Sequence, residues 1–275
     1  MKCGYVAVLG LPNAGKSSLV NRLVGEEVAI VSKRIQTTRN NILGICNGEN
    51  FQIVFIDTPG IHHSKNKLDR FMMKNVRNAI TTADVILYLV DIGKTVSDEE
   101  KDYIKMLKNK AEKVIVVLTK SDKKAVADID SDISISVKEN KNLDKLINLI
   151  VEKLPTGEAI FDEDEYTDKS IKFLVCEHIR GRLLDILDNE IPHGIAVVCE
   201  KLEEKENFVN MDILIILEKE RHKGIVIGKG GKNLKDIGIS ARQYAENLFD
   251  KKVNIHLLVK VDENWRNNNI AEYGY

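Results

Sequence analysis

The eight residues Gly10–Ser17 (GLPNAGKS) constrain the fold of this chain more than any other segment. They match the phosphate-loop pattern, in which a glycine-rich turn ends in Gly-Lys-Ser. The short apolar run Val6–Leu9 precedes them and the amphipathic segment Ser17–Val24 follows. This strand–turn–helix context lets loop N–H groups and a helix N-terminus surround a phosphate. The alternative is a glycine-rich turn that binds no ligand.

Further apolar runs predict the rest of an α/β domain. They recur about every 30 residues, and amphipathic segments such as Asp98–Asn109 lie between most of them. Runs without alternation are typical of strands that are covered on both faces. The runs are Ile53–Ile56, Val85–Val90 and Val114–Leu118. We therefore predict a mostly parallel, doubly wound α/β sheet over residues 1–154.

The pattern changes after Leu154. The polar segment Pro155–Ser170 predicts a linker, and residues 171–275 predict a separate α+β domain. Its predicted order is helix, two strands, glycine turn, helix, strand. The corresponding segments are Ile171–Leu187, Ile195–Leu202, Phe208–Leu217, Gly228–Gly231, Ala241–Phe249 and Val253–Val261.

Composition excludes several classes of protein. The formal net charge of the 275 residues is −1, so any nucleic-acid site must be a local basic patch. The four cysteines lack paired spacing, which argues against a zinc ribbon or a disulfide scaffold. No apolar run approaches the roughly 20 residues of a membrane span. We expect a soluble, cytoplasmic protein, and nothing in the sequence indicates obligate assembly, so we expect a monomer.

The phosphate loop and later residues predict a nucleotide site with Mg²⁺. Lys16 is expected to reach the β- and γ-phosphates, and the Ser17 hydroxyl to bind the metal. Asp57 follows a strand-like run and is expected to hold the same ion, with Thr37 or Thr38 supplying a second hydroxyl. The Gly60 N–H is placed near the γ-phosphate. The predicted contacts are Gly10, Leu11, Pro12, Asn13, Ala14, Gly15, Lys16, Ser17, Ser18, Asp57, Thr58, Pro59, Gly60 and Ile61, and those with catalytic roles are Lys16, Thr38 and Gly60.

A second group of residues predicts that the base is guanine. The carboxylate of Asp122 can accept hydrogen bonds from both the ring N–H and the exocyclic amine of guanine, a pair that adenine does not offer. The predicted base contacts are Thr119, Lys120, Ser121, Asp122, Ser136, Val137 and Lys138. Any one of these residues is weak evidence, but their order along the chain favours a GTP-binding domain.

Two departures from the usual pattern bear on the chemistry. Ile61 stands where Ras-type enzymes place the glutamine that orients water, so we expect slow turnover. His62 and His63 follow it, and a solvated pair of loop histidines is the alternative to a catalytic role. Thr119 replaces the usual asparagine of the guanine motif. It keeps one hydroxyl but loses an amide that normally bonds the base and ties down the phosphate loop, so we expect weaker guanine affinity with specificity preserved by Asp122.

The region between Arg221 and Arg242 is locally basic, with six basic residues against one acidic residue, Asp236. Its glycine turn is of the kind that KH domains use to clamp a nucleic-acid backbone beside an apolar groove, which Ile225, Val226 and Ile227 are expected to form. The alternative is a solvated basic turn. The predicted RNA contacts are Ile227, Gly228, Lys229, Gly230, Gly231, Lys232, Lys235 and Arg242.

Together, the two halves resemble the Era family of bacterial GTPases over essentially the whole chain. The resemblance is carried by Gly10–Ser17, Gln36–Arg39, Asp57–Gly60, Phe161–Asp168, Val226–Gly231, Ile237–Arg242 and the ending near Trp265. It implies a Ras-like P-loop GTPase domain followed by a C-terminal α+β type II KH domain.

The resemblance also implies a role in ribosome assembly. The KH domain would bind the 3′ end of small-subunit (16S) rRNA, and the protein would associate peripherally with the inner membrane. Asn13 resembles the residue that lets K⁺ join the site, although it can also simply stabilise a turn. Two alternatives stay open at this point. One is an RNA-binding module whose hydrolysis is incidental, and the other is a KH-like domain that docks on protein.

Overall fold

The computed structural model describes residues 1–32, 34, 37–111, 113–186, 194–268 and 270–275. They form two compact units. The first unit consists of Met1–Ala29, Thr38–His63 and Met72–Asp168, and the second of Ile30–Thr37, Ser64–Phe71 and Lys169–Tyr275. Gln36 of the predicted Gln36–Arg39 motif and Leu187 at the end of a predicted helix lie outside the described residues.

The first unit contains a six-stranded sheet in the order β2-β3-β1-β4-β5-β6. Only β2 runs antiparallel to its neighbour. The strands are β1 (Lys2–Gly10), β2 (Ile42–Gly48), β3 (Phe51–Asp57), β4 (Val85–Asp91), β5 (Val114–Thr119) and β6 (Ile133–Ser134). The helices are α1 (Lys16–Val24), α2 (Lys67–Thr82), α3 (Asp98–Lys110) and α4 (Leu143–Lys153). The predicted, mostly parallel α/β sheet is confirmed.

The buried strands are the ones that the apolar runs predict. Every residue of β4 is buried, and all of β3 except Phe51 is buried. The edge strand β2 is missing from the sequence prediction. Two of its seven residues are glycines, which weaken a strand pattern, and it alternates poorly. Gly44 in β2 is required by packing, since a Cβ there would lie 2.7 Å from a methyl group of Val20.

The segment predicted as a linker covers the edge of β2. The N–H of Ile45 donates to the Tyr166 carbonyl at 3.0 Å, and the N–H of Leu43 donates to Asp168 Oδ1 at 3.0 Å. The buried Gln52 side chain accepts the N–H groups of Ile160 and Phe161 at 2.7 and 3.0 Å. Unpaired edge groups attract other strands, so this cover protects the sheet. The acidic stretch within Phe161–Asp168 therefore has a structural role in the first unit.

The second unit contains a three-stranded sheet in the order β7-β8-β9. β7 and β8 are antiparallel, whereas β8 and β9 are parallel. In chain order the elements are α5 (Ile171–Ile186), β7 (Ile195–Glu204), β8 (Phe208–Leu217), α6 (Lys223–Ile227), α7 (Lys232–Phe249), β9 (Lys252–Val261) and α8 (Trp265–Asn268). This α-β-β-α-α-β-α order agrees with the predicted order of helices and strands, with α6 and α8 as additions.

The helix α7 begins nine residues before the predicted start at Ala241. Ile237, Ala241 and Ala245 are buried at helical spacing, so the apolar period begins well before Ala241. Gly238 within that stretch weakened the sequence pattern. In the part of the chain that the structure describes, no helix is both long and apolar enough to cross a membrane.

Candidate functional site

The phosphate loop joins β1 to α1 in the first unit. Gly10 and Gly15 have φ angles of 144° and 96°, and Asn13 has a φ of 64°. Gly10 must be glycine because a Cβ there would lie 2.4 Å from the Leu89 carbonyl oxygen. The helix α1 begins at Lys16, directly after Gly15, so its first N–H groups lie at the end of the loop.

Lys16 lies across this loop. Its Nζ donates to the carbonyls of Gly10 and Leu11 at 3.2 and 3.1 Å, and the residue is buried. Burial lowers the pKa of the Lys16 ammonium to about 8, against the opposing effect of the nearby Asp57 carboxylate. A phosphate beside the ammonium would raise this pKa again, because an opposite charge favours the charged form.

Three oxygen-bearing side chains meet beside Lys16. Ser17 Oγ donates to Asp57 Oδ2 at 2.7 Å, Thr38 Oγ1 donates to the same atom at 3.1 Å, and the two hydroxyls lie 2.9 Å apart. The structure thus selects Thr38 for this cluster, since the Thr37 hydroxyl donates to the Arg34 carbonyl at 2.8 Å. Burial raises the pKa of Asp57 to about 6, opposed by the hydrogen bond from Ser17, the charge of Lys16 and the hydrogen bond from Thr38.

The second carboxylate oxygen of Asp57 indicates whether these residues fit a bound cation. Oδ1 is buried and accepts no hydrogen bond from any residue that the structure describes. An unpaired buried carboxylate oxygen is costly, and a cation removes that cost. One carboxylate and two hydroxyls are hard oxygen ligands of the kind Mg²⁺ takes when substrate phosphates and water complete its shell. These residues fit Mg²⁺.

The loop after β3 packs against the phosphate loop. The N–H of Ile61 donates to the Gly10 carbonyl at 3.2 Å, and the hydroxyl of Thr58 donates to the Val8 carbonyl at 2.7 Å. Ile61 is half-buried against the apolar core of the sheet. Its hydrocarbon side chain has no polar group that could orient a water molecule. His62 Nδ1 lies 2.7 Å from the Gly60 carbonyl, and His63 is an exposed residue whose Nε2 lies 3.4 Å from Glu99 Oε1.

Thr119 connects to the phosphate loop through its hydroxyl. The hydroxyl donates to the carbonyl of Ala14 at 2.7 Å and lies 3.2 Å from that of Val90. The hydroxyl that Thr119 retains thus makes a connection to the loop in place of the lost amide. Lys120 adds a second connection, since its Nζ donates to the Asn13 carbonyl at 2.6 Å and pairs with Asp91 at 2.7 Å.

The residues predicted to bind the base lie at the ends of β5 and β6. Asp122 is exposed, and its Oδ1 accepts a hydrogen bond from Ser136 Oγ at 2.8 Å. That hydrogen bond is the main reason why the pKa of Asp122 lies below its ordinary value. The carboxylate is thus ionised and oriented. The Asp122 carboxylate is exposed to water until a base binds. A bound base would have to remove that water from the carboxylate, because selectivity between bases depends on a carboxylate that is left unpaired away from water.

The predicted glycine turn lies between α6 and α7 in the second unit. Gly228, Gly230 and Gly231 have φ angles of 76°, 62° and 77°. At Gly228 a Cβ would lie 2.7 Å from the Asn233 side chain, so only glycine fits. Lys229 and Gly230 are exposed at the tip, as is Lys232 at the start of α7.

A groove of about 320 Å³ lies between α7 and the strands β8 and β9. It is lined by Asn210, Lys235, Gly238, Ile239, Arg242, Val253, Asn254, Ile255 and His256. Lys235 and Arg242 were predicted, whereas the β9 contacts were not, because only the pairing of β9 with β8 brings that edge to α7. Val226 does not contribute to an apolar groove, since it is fully buried in the core, whereas Ile225 is 45% exposed.

The chain matches two family descriptions. Residues 5–120 match the family described as "50S ribosome-binding GTPase", and residues 190–266 match the family described as "KH domain". The chain is 42% identical to GTPase Era of Alkaliphilus metalliredigens (strain QYMF) over 281 residues, which cover 97% of this chain and 95% of that protein. This chain belongs to the Era family of GTPases.

Other Era proteins match over their whole length. Era of Clostridioides difficile (strain 630) is 41% identical, covering 100% of this chain and 98% of that protein. A crystal structure of an Aquifex aeolicus Era variant bound to GDP and AlF4⁻ has a TM-score of 0.93 and 34% identity. A crystal structure of Era with MgGDPNP and nucleotides 1506–1542 of 16S ribosomal RNA has a TM-score of 0.93 and 35% identity. Both cover 100% of this chain and 99% of the solved chain.

These matches decide the class of the protein. It is an Era-family GTPase with a P-loop GTPase domain and a C-terminal KH domain, as the sequence predicts. The motif Ile237–Arg242 contributes to the packing of the KH domain. Ile237 and Ala241 are buried in the KH core, and Ser240 Oγ lies 2.9 Å from His178 Nε2 on α5.

Proposed function

We propose that this chain binds and hydrolyses GTP at the Gly10–Ser17 loop and uses its KH domain to bind the 3′ end of 16S rRNA during maturation of the small ribosomal subunit. The proposed GTPase domain is residues 1–154, the linker is 155–170 and the KH domain is 171–275. The observation that carries the proposal is the convergence of Ser17, Thr38 and Asp57 within 3.1 Å of one another beside the buried Lys16.

Mg²⁺ would be held by Ser17, Thr38 and Asp57. When bound, it neutralises charge on the β- and γ-phosphates. Among the described residues no three His, Cys, Asp or Glu side chains cluster as a metal site. A site that relies on one carboxylate and two hydroxyls is therefore one that needs the phosphates as further ligands, which makes metal and nucleotide binding mutually dependent.

The chain's own groups account for phosphate binding and slow turnover. Lys16 and the N–H groups at the start of α1 bind and orient the phosphates, and the Gly60 N–H would lie at the γ-phosphate. Since Ile61 cannot orient water, intrinsic hydrolysis is expected at about 10⁻⁴ to 10⁻² s⁻¹. Use of K⁺ at Asn13 stays a prediction, to be tested by comparing K⁺ with Na⁺ in wild type and Asn13→Ala.

The guanine base would be recognised by Asp122, which Ser136 orients by donating to its Oδ1. Thr119 and Lys120 hold the carbonyls of Ala14 and Asn13, so the base side and the phosphate side of the site are connected by direct hydrogen bonds. A guanine that orders Asp122 would thereby stabilise the loop that binds its own phosphates.

RNA binding is assigned to the glycine turn and to the groove between α7 and β9. The exposed Lys229 and Lys232 supply charge for phosphates, and glycines let the backbone approach closely. Ile227, Gly228, Gly231, Lys235 and Arg242 complete the proposed contacts. The related Era structure that contains nucleotides 1506–1542 of 16S ribosomal RNA supports the choice of RNA.

A buried arginine supports the proposal that nucleotide state affects RNA binding. In the second unit, Arg180 of α5 is 1% exposed, pairs with Glu177 at 2.6 Å and donates from Nη2 to the carbonyl of Thr37. Thr38, the next residue, belongs to the cluster around Asp57. A γ-phosphate that orders Thr38 would act on the same peptide group that Arg180 holds. Any such coupling must be reciprocal.

The test is binding of a single-stranded RNA that matches the 3′ end of 16S rRNA, at one fixed salt concentration. Wild-type protein is loaded with a slowly hydrolysed GTP analogue, with GDP, or with no nucleotide. We expect the tightest binding with the analogue, and every tenfold difference equals about 1.4 kcal/mol of coupling. Equal binding in all three states would refute the switch, and absence of binding would favour docking on protein.

Two variants separate the activities. Lys16→Ala should abolish nucleotide binding and remove the difference between nucleotide states, while basal RNA binding remains. Replacing Lys229 and Gly230 by Asp should abolish RNA binding and leave GTP hydrolysis intact. If the analogue alone supports repeated rounds of subunit assembly, hydrolysis is incidental. Peripheral membrane association and a monomeric state stay predictions, to be tested by flotation with lipid vesicles and by light scattering.

A further inference from the structure

The helix α2 carries a row of positive charges that the proposed nucleotide and RNA sites do not use. Lys67, Arg70, Lys74 and Arg77 are all exposed. At about 100° per residue they lie within roughly 80° of helix arc, and at 1.5 Å per residue they extend over about 15 Å. We call these four side chains the basic ridge of α2.

The ridge does not stabilise its own helix. Its members are spaced three and four residues apart, and like charges at those spacings repel. Lys67 and Arg70 lie in the first turn, where the helix dipole disfavours cations. Asp69, the acidic residue of this helix, is buried and accepts the N–H of Lys65 through Oδ2 at 2.8 Å. No ridge side chain forms a salt bridge with any residue in the described part of the chain.

The neighbouring helix α3 shows the opposite arrangement. Its first turn contains Asp98, Glu99 and Glu100, and its last turn contains Lys108 and Lys110. This distribution matches the helix dipole, so Lys108 and Lys110 are explained by the helix itself. The basic ridge of α2 has no such explanation, which points to an anionic partner outside the chain.

The surroundings of the ridge indicate the kind of anion. The other fully exposed residues of α2 are Asn78, Thr81 and Thr82, all polar, whereas Leu68, Met72 and Val76 are buried. A helix that lies on a membrane presents apolar side chains beside its cations so that they enter the lipid. The half-buried apolar residues of this helix are directed to protein contacts instead, since Met73 and Ile80 pack against the core of the sheet and Phe71 packs against Tyr275. A narrow line of cations without fully exposed apolar neighbours fits a row of phosphates.

We propose that the basic ridge of α2 is a second RNA-binding surface, which contacts the phosphate backbone of folded small-subunit rRNA. This inference rests on the proposed function, because it takes the ribosomal subunit as the partner. Binding through phosphates alone is independent of base sequence and strongly salt-dependent. The KH groove would then select the 3′ end, and the ridge would add affinity only where folded rRNA is present.

The test compares two charge-reversal variants of the full chain, loaded with a slowly hydrolysed GTP analogue. Arg70→Glu combined with Lys74→Glu changes the ridge, and Lys105→Glu combined with Lys108→Glu makes the same charge change on exposed residues of α3. Binding to purified small ribosomal subunits and to the short 3′-end RNA is measured over a range of salt. Circular dichroism confirms that both variants are folded, and the ridge change also removes like-charge repulsion within α2.

We expect the ridge variant to bind subunits at least tenfold more weakly. The slope of log affinity against log salt should fall by about 1.4 to 1.8 for two lost phosphate contacts. Its affinity for the short RNA and that of the α3 variant for subunits should stay within about threefold of wild type.

Equal losses in both variants, or no loss in either, would overturn the proposal. Unchanged subunit binding with loss of binding to phosphatidylglycerol vesicles would assign the ridge to lipid. Failure of wild type to bind the short RNA would instead refute the proposed KH function, and the subunit comparison would still test the ridge.

Discussion

Replacing Thr119 by Val tests how the guanine side of the site is joined to the phosphate loop. Thr119 is 2% exposed, and its hydroxyl donates to the Ala14 carbonyl at 2.7 Å. Valine keeps the shape and the branched Cβ but removes the donor. The Ala14 carbonyl would then lose its hydrogen bond from this side chain, within a loop that has to hold one conformation to bind phosphates.

The size of the effect follows from the burial. Leaving a buried acceptor unpaired costs about 1–3 kcal/mol. For a domain of this size each kcal/mol changes the melting temperature by about 2–4 °C, so we expect Thr119→Val to melt roughly 4–8 °C lower for a loss near 2 kcal/mol. Without this hydrogen bond the loop has to be ordered when nucleotide binds, and most of the lost free energy then reduces the binding free energy. A reduction of about 1.4 kcal/mol makes nucleotide affinity about tenfold weaker.

The assay can separate the two units. The lone tryptophan, Trp265, is buried in the second unit, so its fluorescence follows that unit, while release of a fluorescent GDP analogue on heating follows the first. Thr119→Ser retains the hydroxyl and serves as the control. We expect the Val variant to release the nucleotide at a clearly lower temperature than the Ser variant, whereas the temperature of the tryptophan transition should be the same in both. Equal release temperatures and equal affinities for the two variants would refute the reasoning.

Three other predictions concern single groups. Burial holds the pKa of Asp57 at about 6, above the unfolded value of about 3.9, so ionisation of Asp57 lowers the stability of the nucleotide-free protein as pH rises from 4 to 6. Because Mg²⁺ needs the ionised carboxylate, Mg²⁺-dependent nucleotide affinity in titrations should be about tenfold weaker at pH 5 than at pH 7. The Asp57→Asn variant should show a smaller change of affinity between these two pH values. Gly228→Ala forces a Cβ to within 2.9 Å of a backbone nitrogen at a φ of 76°, so RNA affinity should fall clearly in a binding assay; the open position Gly224→Ala should not change it. Gln52→Leu leaves the N–H of Phe161 without its acceptor, so protease cleavage near that residue should accelerate and stability should drop by about 1–3 kcal/mol; an unchanged cleavage rate would contradict the role of Gln52.

The sequence predicted the elements whose signals are local. The buried parallel strands appear as uninterrupted apolar runs, and β4 is buried along its whole length. The phosphate loop is identified by its spacing because glycines at positions such as Gly10 follow from backbone geometry. The strand β2 was missed and the start of α7 was misplaced for a related reason. β2 has two glycines and little alternation, and Gly238 interrupts the pattern of α7.

Some site residues could not be assigned from local pattern. Thr37 and Thr38 are equivalent in sequence, and only the fold brings the hydroxyl of Thr38 within reach of Ser17 and Asp57. Val226 has the composition of a groove residue, yet the packing of α6 buries it. In both cases neighbours distant along the chain decide the environment of the side chain.

The sequence by itself determined the buried parallel strands, the phosphate loop, the guanine motif and the glycine turn, because each depends on residues within a few positions of one another. The tertiary structure decided which groups meet. Thr119 binds a carbonyl 105 residues earlier in the chain, and Gln52 holds backbone 109 residues later. Hydrogen bonds and burial depend on distance in space, and only folding establishes that distance.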